Sequence, residues 1–359
     1  MNTAVVAFAQ SAHTAEDAGL SEVEILAPVI AEIKERTGLT RFGFTCSGSN
    51  DYLVGAPFSF VSGLDAVGAW PPISESHVEM DAAWALYEAW ARLQHSAATG
   101  SGGEVCDTAL VYGFGKASQT VLRELMTRQL DPYYLAPLGI DQVSLAALQA
   151  RAYLERSGAK EDDLRAVAAR SRRAGRDNPF ALHLPDPPGD EGYDVAPLRP
   201  SDVAPAADGA AAIVLAVGDR ARDLCERPAW IRGIDHRSEP HSPGARDLSR
   251  SPAARLAGEK AGAVGDGAAP VQVAELHAQF SHEELILREA LGLGEDVLVN
   301  PSGGALSANP PMAAGLIRIG EAAARIHDGS ADRALGHAGA GPCLQQNLVC
   351  VLSGDEDDG

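Results

Sequence analysis

The sequence predicts an α/β protein, on three observations. Short apolar runs of strand type alternate along the chain with apolar residues at helical spacing. An excess of alanine, glycine and valine with only 5% aromatic residues favours helices packed closely against parallel strands. The length, 359 residues, suits two domains of ordinary size or a pair that packs as a unit, and 45% hydrophobic content supplies a large core.

The opening run Ala4 to Ala9 is read as a strand, and Ser21 to Glu35 as a helix whose apolar face carries Val23, Leu26, Ile30 and Ile33. A strand is expected near Phe42 to Thr45 and a loop at Ser47 to Asp51. Met80 to Leu93 is apolar almost all round, so it predicts a helix inside the molecule. Thr99 to Gly103 (TGSGG) reads as a flexible surface insertion, and Thr108 to Tyr112 as a buried strand. The stretch from about 121 to 184 is mostly helical and charged, with helices at Ser144 to Ser157 and Glu161 to Arg173, and leaves the main sheet. After a proline- and glycine-rich passage, Asp208 to Ala216 returns as a strand and Asp219 to Cys225 forms a short helix.

The second half repeats the alternation. Strands are expected at Ala229 to Ile234, Val271 to Leu276, Ala334 to His337 and Asn347 to Leu352, and helices at Ser281 to Leu291 and Met312 to Ile326. Residues 235–269 are proline- and arginine-rich and weakly patterned. Each half thus holds one apolar helix in a comparable place, which suggests two similar units stacked together.

Several functions are disfavoured by composition. Lysine and arginine number 29 against 49 aspartates and glutamates, a net charge of −20, with no basic stripe for a phosphate backbone, so nucleic-acid binding is not expected. No apolar run reaches membrane-spanning length and no basic leader precedes the first apolar run, so the expected location is cytoplasmic, with no membrane partner. The five cysteines are dispersed and form no CxxC pair, so neither a disulfide framework nor a metal site is expected.

Four motifs, in order, carry a resemblance: Asp208-Gly209-Ala210-Ala211-Ala212, Ala274 to Phe280 (AELHAQF), Asn300 to Leu306 (NPSGGAL) and His337-Ala338-Gly339-Ala340-Gly341. They resemble, over nearly the whole chain, the DGAAA strand, the NEAF or HDCF loop, the NxxGGA turn and the CxGxG loop of the thiolase superfamily. The resemblance implies two similar βαβαβαββ halves stacked as a five-layered αβαβα sandwich. It places an N-terminal domain at 1–225, with the helical excursion at about 121–184, a C-terminal domain at 226–354, and an acidic tail at 355–359.

The departures from the family pattern decide the expected chemistry. Laying the apolar helix on the family's catalytic helix puts Glu79 near the nucleophile place, with Met80 and Asp81 beside it and no cysteine. The GHP loop resembles Asn309-Pro310-Pro311, with proline in the histidine place, and His337 stands where the second cysteine would be. His277 keeps a family residue type, whose role there is to help form an oxyanion hole for the thioester carbonyl. Glu79 is either a helix-start carboxylate or, in a dry pocket, the base that removes a β-hydroxyl proton, and His77 could serve instead. His337 is either a general acid or base or a structural histidine. Asp81, Asn309, Gly303, Gly304 and Gly339 complete the expected substrate-binding set, the glycines serving turns that let backbone approach closely.

The residues agree best with the thiolase-like lipid-transfer proteins of bacterial steroid side-chain degradation. Some of these are aldolases that work with a zinc-ribbon/OB-fold partner; they carry tyrosines at the places of His277 and Pro310. The resemblance therefore implies retro-aldol cleavage of a bulky, steroid- or lipid-derived β-hydroxyacyl-CoA without a cysteine nucleophile. The alternatives are a non-catalytic acyl-CoA-binding or lipid-transfer subunit of a complex and an acetyl-CoA acetyltransferase-like acyltransferase. Coenzyme A enters as part of the substrate and no tightly bound cofactor is expected; a homodimer is.

Overall fold

The computed structural model describes all residues except 1, 17, 69–72, 100–105, 129 and 357–359. The first half runs β1 (Thr3–Gln10), α1 (Glu22–Thr37), β2 (Phe44–Gly48), α2 (Asp51–Val54), α3 (Phe60–Val67), β3 (Glu75–Val78), α4 (Ala82–Thr99) and β4 (Thr108–Lys116). An excursion adds α5 (Leu122–Thr127), α6 (Gln142–Ser157) and α7 (Glu161–Gly175), and the chain returns through β5 (Asp208–Val217) and α8 (Gly218–Leu224). The second half is β6 (Ala229–Ser238), α9 (Pro252–Lys260), β7 (Val273–Leu276), α10 (Ser281–Ala290), β8 (Leu298–Val299), α11 (Ala314–His327), β9 (Arg333–Ala340) and β10 (Gln346–Ser353).

Local chemistry explains the clearest boundaries. At α1 the Ser21 hydroxyl accepts the Glu24 amide while the Glu24 carboxylate accepts the Ser21 amide, a reciprocal cap that satisfies two free donors. The helix stops at Gly38, whose φ of 67° costs glycine little. α6 begins in the same way, with the Asp141 carboxylate accepting the Ser144 amide.

The strands lie in the order β3-β2-β4-β5-β1-β6-β10-β9-β7-β8. Numbered within its own half, each set of five reads third, second, fourth, fifth, first. The fifth is antiparallel to both neighbours and the remaining contacts are parallel in both halves. This common order is the duplication that the sequence only hinted at. The halves join where β1 meets β6 through the pairs Ala4–Trp230 and Val5–Ala229.

Five layers follow from where side chains bury. α4 and α11 pack together in the middle, and one core cluster reaches from Val111 and Ile213 of the first five strands through Leu86 and Ile319 to Ala338 and Leu348 of the second five. The outer face of the first five strands is covered by α1, with Leu26, Ile30 and Ile33. The outer face of the second five is covered by α9 and α10, with Ala257 and Leu287. The αβαβα expectation is met.

Some expectations are corrected. The central helices begin at Ala82 and Ala314, two residues later than the apolar patterns suggested. Met312 has a φ of 63°, which no right-handed helix accommodates. Ser47 to Asp51 is not a loop throughout, because β2 extends to Gly48 and α2 opens at Asp51. The supposed insertion at Thr99 to Gly103, except Thr99, and the acidic tail beyond Glu356 lie outside the described residues. Among the described residues no helix is long and apolar enough to cross a membrane.

Candidate active site

The two central helices point their N-termini at one carboxylate. Asp81 Oδ1 accepts the amides of Ala83 (2.9 Å) and Leu316 (3.0 Å), and Oδ2 accepts that of Gly315 (2.8 Å). Unpaired amides and the helix dipole make such an end a natural anion site, and here two ends share a single anion. Gly315 permits the approach, since a Cβ there would sit 2.6 Å from Asp81 Oδ1. The junction is closed by the Ala82 amide donating to Met312 O at 2.9 Å. A thiolate at this helix mouth would need the positive field that Asp81 already neutralises.

Asp81 forms one end of a cavity of about 320 Å³. Glu79, two residues earlier, also lines it and accepts the Asp51 amide at 2.6 Å, but the residue is exposed, so the dry pocket expected around it is not found. Met80, Leu122, Met126, Pro311 and Met312 give the cavity an apolar wall. Toward the mouth stand Gln142 and Gln279, which bridge the excursion to the second half with a 3.0 Å hydrogen bond, and His241.

His277 enters from the end of β7 and is buried. Its Nδ1 faces the Gly339 amide at 3.3 Å, and a backbone N–H can only donate, so Nδ1 is the unprotonated nitrogen. The proton then lies on Nε2 and is donated to Asn309 Oδ1 at 3.0 Å. Burial pulls the His277 pKa below its usual value, against the opposing pull of the Asp81 charge, so the ring works as a neutral donor. With Oδ1 occupied, the Asn309 amide nitrogen is the group left to donate into the cavity that Asn309 lines.

The structure thus brings together Glu79, Asp81, His277, Asn309 and Gly339. It does not bring His337 to the cavity. That ring is fully buried under Gly339, where an added Cβ would meet it at 3.5 Å, and its Nε2 donates to Asn347 Oδ1 at 3.1 Å. Burial depresses its pKa to about 3, so it stays neutral and holds β9 to β10 instead of exchanging protons with a substrate.

His77 is also elsewhere, on the exposed β3 edge with its ring stacked on Phe60 at 3.9 Å. Gly303 and Gly304 take φ values of 97° and 60° in a turn that packs against Gly175 of α7 and Ser307, away from the cavity. Their turn matters indirectly: Asn300 Oδ1 accepts the Leu276 amide at 2.6 Å and so fixes the strand end that carries His277.

Sequence reasoning missed His241 and the Gln142–Gln279 bridge. The only signal was that Gln279 lies inside the AELHAQF motif; His241 sits in a stretch without pattern. All five cysteines are free and none lines the cavity. Burial pushes the Cys46 and Cys343 thiols up to about 12, which removes them as nucleophiles. Among the described residues no group of three or more His, Cys, Asp or Glu could hold a metal ion.

A solved chain described as the Ltp2-ChsH2(DUF35) aldolase shares this fold with a TM-score of 0.76, covering 99% of this chain and 98% of that one at 19% identity. Curated relatives point the same way in sequence. The benzoylsuccinyl-CoA thiolase subunit BbsB of Thauera aromatica is 28% identical over 195 residues, 47% of this chain and 50% of that protein. A 17-hydroxy-3-oxo-4-pregnene-20-carboxyl-CoA lyase of Mycobacterium tuberculosis is 30% identical over 225 residues, 57% of this chain and 58% of the lyase.

The chain is similar in sequence to thiolase-type proteins and shares the fold of that aldolase.

An acetyl-CoA acetyltransferase of Methanothermobacter thermautotrophicus is 27% identical over 211 residues, 51% of this chain and 54% of that enzyme. The chain therefore spans about half the length of the curated relatives it matches. No family model matches it.

Proposed function

We propose that this thiolase-like protein is a lyase that cleaves the Cα–Cβ bond of a bulky, steroid- or lipid-derived β-hydroxyacyl-CoA by a retro-aldol step. The observation that carries the reading is Asp81 in the double helix-end site, which leaves the cavity with carboxylates and an imidazole–amide pair and no thiol.

In the reaction Glu79 takes the proton from the β-hydroxyl, the carbonyl of the departing ketone or aldehyde forms, and the Cα–Cβ electron pair moves onto the acyl-CoA as an enolate. The Asn309 amide, oriented by His277, donates to the developing enolate oxygen, where a fixed donor lowers the barrier most. The proton held on Glu79 passes to Cα, which restores the base and releases the shortened acyl-CoA. The methionine-rich wall suits an irregular apolar acyl group. The similarity to a relative described as a lyase of a hydroxylated pregnene carboxyl-CoA supports the substrate class.

The same reading assigns 1–225 and 226–354 as the two domains, coenzyme A as part of the substrate, and cytoplasmic action. It assigns two protein partners. One is a zinc-ribbon/OB-fold protein. The other is a second copy joined at the open edge of β3, beside which Tyr52, Phe58, Val61 and Ile73 are exposed. Phe58→Lys with Val61→Lys is expected to halve the mass in solution; an unchanged mass removes that interface.

The central experiment incubates the protein, with and without an OB-fold partner, with β-hydroxyacyl-CoA thioesters and follows ketone release by mass spectrometry. Release that survives Glu79→Gln together with Asn309→Ala turns the protein into a binding subunit of an active partner. A trapped acyl-enzyme in intact mass would favour the acyltransferase reading instead.

A further inference from the structure

The turn between β9 and β10 has an unusual backbone. Gly341, Cys343 and Leu344 lie at φ values of 71°, 55° and 55°, and only the first is glycine. Residues with a Cβ enter this region at a steric cost, and two in succession persist only where the surroundings hold them there. Gly341, Pro342 and Gln345 of this turn wall the cavity, so the strain lies against the candidate site.

What holds the turn is a set of donors aimed at its carbonyls. Arg246 Nη2 donates to Pro342 O at 2.7 Å and Nη1 to Cys343 O at 2.8 Å. Gln149 of α6 donates a second bond to Cys343 O at 3.2 Å, and its own Oε1 accepts from His282 Nε2 at 3.0 Å. Asn347 Nδ2 donates to Leu344 O at 2.8 Å and the Glu239 amide to Gln345 O at 2.8 Å. Arg246 stands apart within this set. It is half-buried, its Nε is buried without a partner, and among the described residues no ion pair joins it to a carboxylate. The Glu239 charge acts on it from nearby, but its hydrogen bonds go to the carbonyls, and a half-buried cation held this way does more to fix a shape than to gain stability.

The turn is the continuation of the strand end that carries Gly339, whose amide sets the His277 tautomer. We propose that Arg246 is a positioning residue: by clamping Pro342 and Cys343 it fixes the left-handed turn, and through it the Gly339 amide that keeps His277 protonated on Nε2 and aimed at Asn309. The charged groups that also act on His277 are Asp81 and Arg318, with His337 neutral behind it. The consequence for catalysis rests on the lyase reading; the effect on the imidazole does not.

The test uses the full-length protein labelled with ¹⁵N-histidine and long-range ¹H–¹⁵N spectra across roughly pH 5.5 to 8, the window where histidines titrate. His277 is assigned through His277→Gln. The native protein should show one tautomer, Nε2–H with bare Nδ1, that does not titrate in this window. In Arg246→Ala the single-tautomer signature should be lost and the pKa should climb toward the ordinary 6.5. Arg246→Lys, which keeps a donor for these carbonyls, should restore part of the signature. Arg250→Ala, on the same segment but with its side chain 54% exposed, should change nothing.

Native-like His277 signals and titration in a folded Arg246→Ala protein overturn the proposal. Should that variant fail to fold, Arg246→Met, which keeps the stem and carries no donor, takes its place, and native-like signals there overturn it equally. If the lyase assay is positive, Arg246→Ala should lower kcat with KM little changed. A negative lyase assay on the native protein removes the lyase reading and leaves the spectroscopic result standing.

Discussion

The two halves of the molecule share one strand order yet bring opposite chemistry to the cavity. The first half contributes Glu79 and Asp81 from the residues that precede α4, groups that accept protons and hydrogen bonds. The second contributes His277 from the end of β7 and Asn309 from the residues that precede α11, groups arranged here to donate. A duplicated backbone therefore does not duplicate its site. The pseudo-symmetric helix ends converge so closely that one anion satisfies both, and the remaining positions are free to diverge.

The largest expected effect separates the two carboxylates of the first half. Glu79→Gln should lower kcat about 10²- to 10⁴-fold, the usual worth of a general base, with Tm unchanged. An unaltered rate would make Glu79 a helix-start carboxylate only. On the second half, Asn309→Ala should cost about 10²- to 10³-fold in kcat, as loss of an oxyanion donor does. A rise in KM at constant kcat would show instead that Asn309 binds ground state and transition state alike.

Asp81→Ala should act on stability. It strips three backbone amides of a charged acceptor and should lower unfolding free energy by about 2–4 kcal/mol, read from denaturant midpoints. A loss below about 1 kcal/mol would mean that water replaces the carboxylate and the helix ends are less desolvated than their packing indicates.

A further effect in the second half is read from pH. Glu283 at the start of α10 is buried and its pKa is raised to about 7, with its carboxylate accepting the Gln279 and Phe280 amides. Unfolding releases its proton between about 4.5 and 7, so stability declines as pH rises through that window, by about 3 kcal/mol in all. His282 and His337, depressed to about 3 by burial, act oppositely: the unfolded chain binds protons below about 6.5, so stability falls as pH drops. Between about pH 4.5 and 6.5 the two histidines outweigh Glu283, so Glu283→Gln should steepen the rise of stability with pH in that window; an unchanged profile would place Glu283 in contact with water. The smallest expected change is at Tyr134→Ser, exposed on the excursion, which should shift stability by less than about 0.5 kcal/mol.

Long periodic segments were legible in the sequence because burial on one face or all round writes itself into residue spacing. α1, α6, α7 and the central helices were visible for that reason. β3 was not, because it is a four-residue edge strand of mixed exposure, and β8 pairs through two residues only. α9 left a readable trace, Ser251 capping and Pro252 in the first turn, inside a stretch that otherwise lacks pattern.

Site residues were legible by type and less so by place. The AELHAQF motif located His277, whereas the two partners of Asp81 on α11 lie 234 and 235 residues away and no local pattern announces them. His337 and the Gly303–Gly304 turn shared motif status with His277, but burial behind a strand and packing against α7 gave them supporting work.

The shared middle layer has a consequence for how the molecule comes apart. α4 and α11 are apolar toward both sets of strands and toward each other, so neither half possesses a finished core of its own. Heating should therefore dissolve both halves in a single cooperative step. A chain severed between Leu224 and Ala229 should yield two fragments that regain solubility only when produced together.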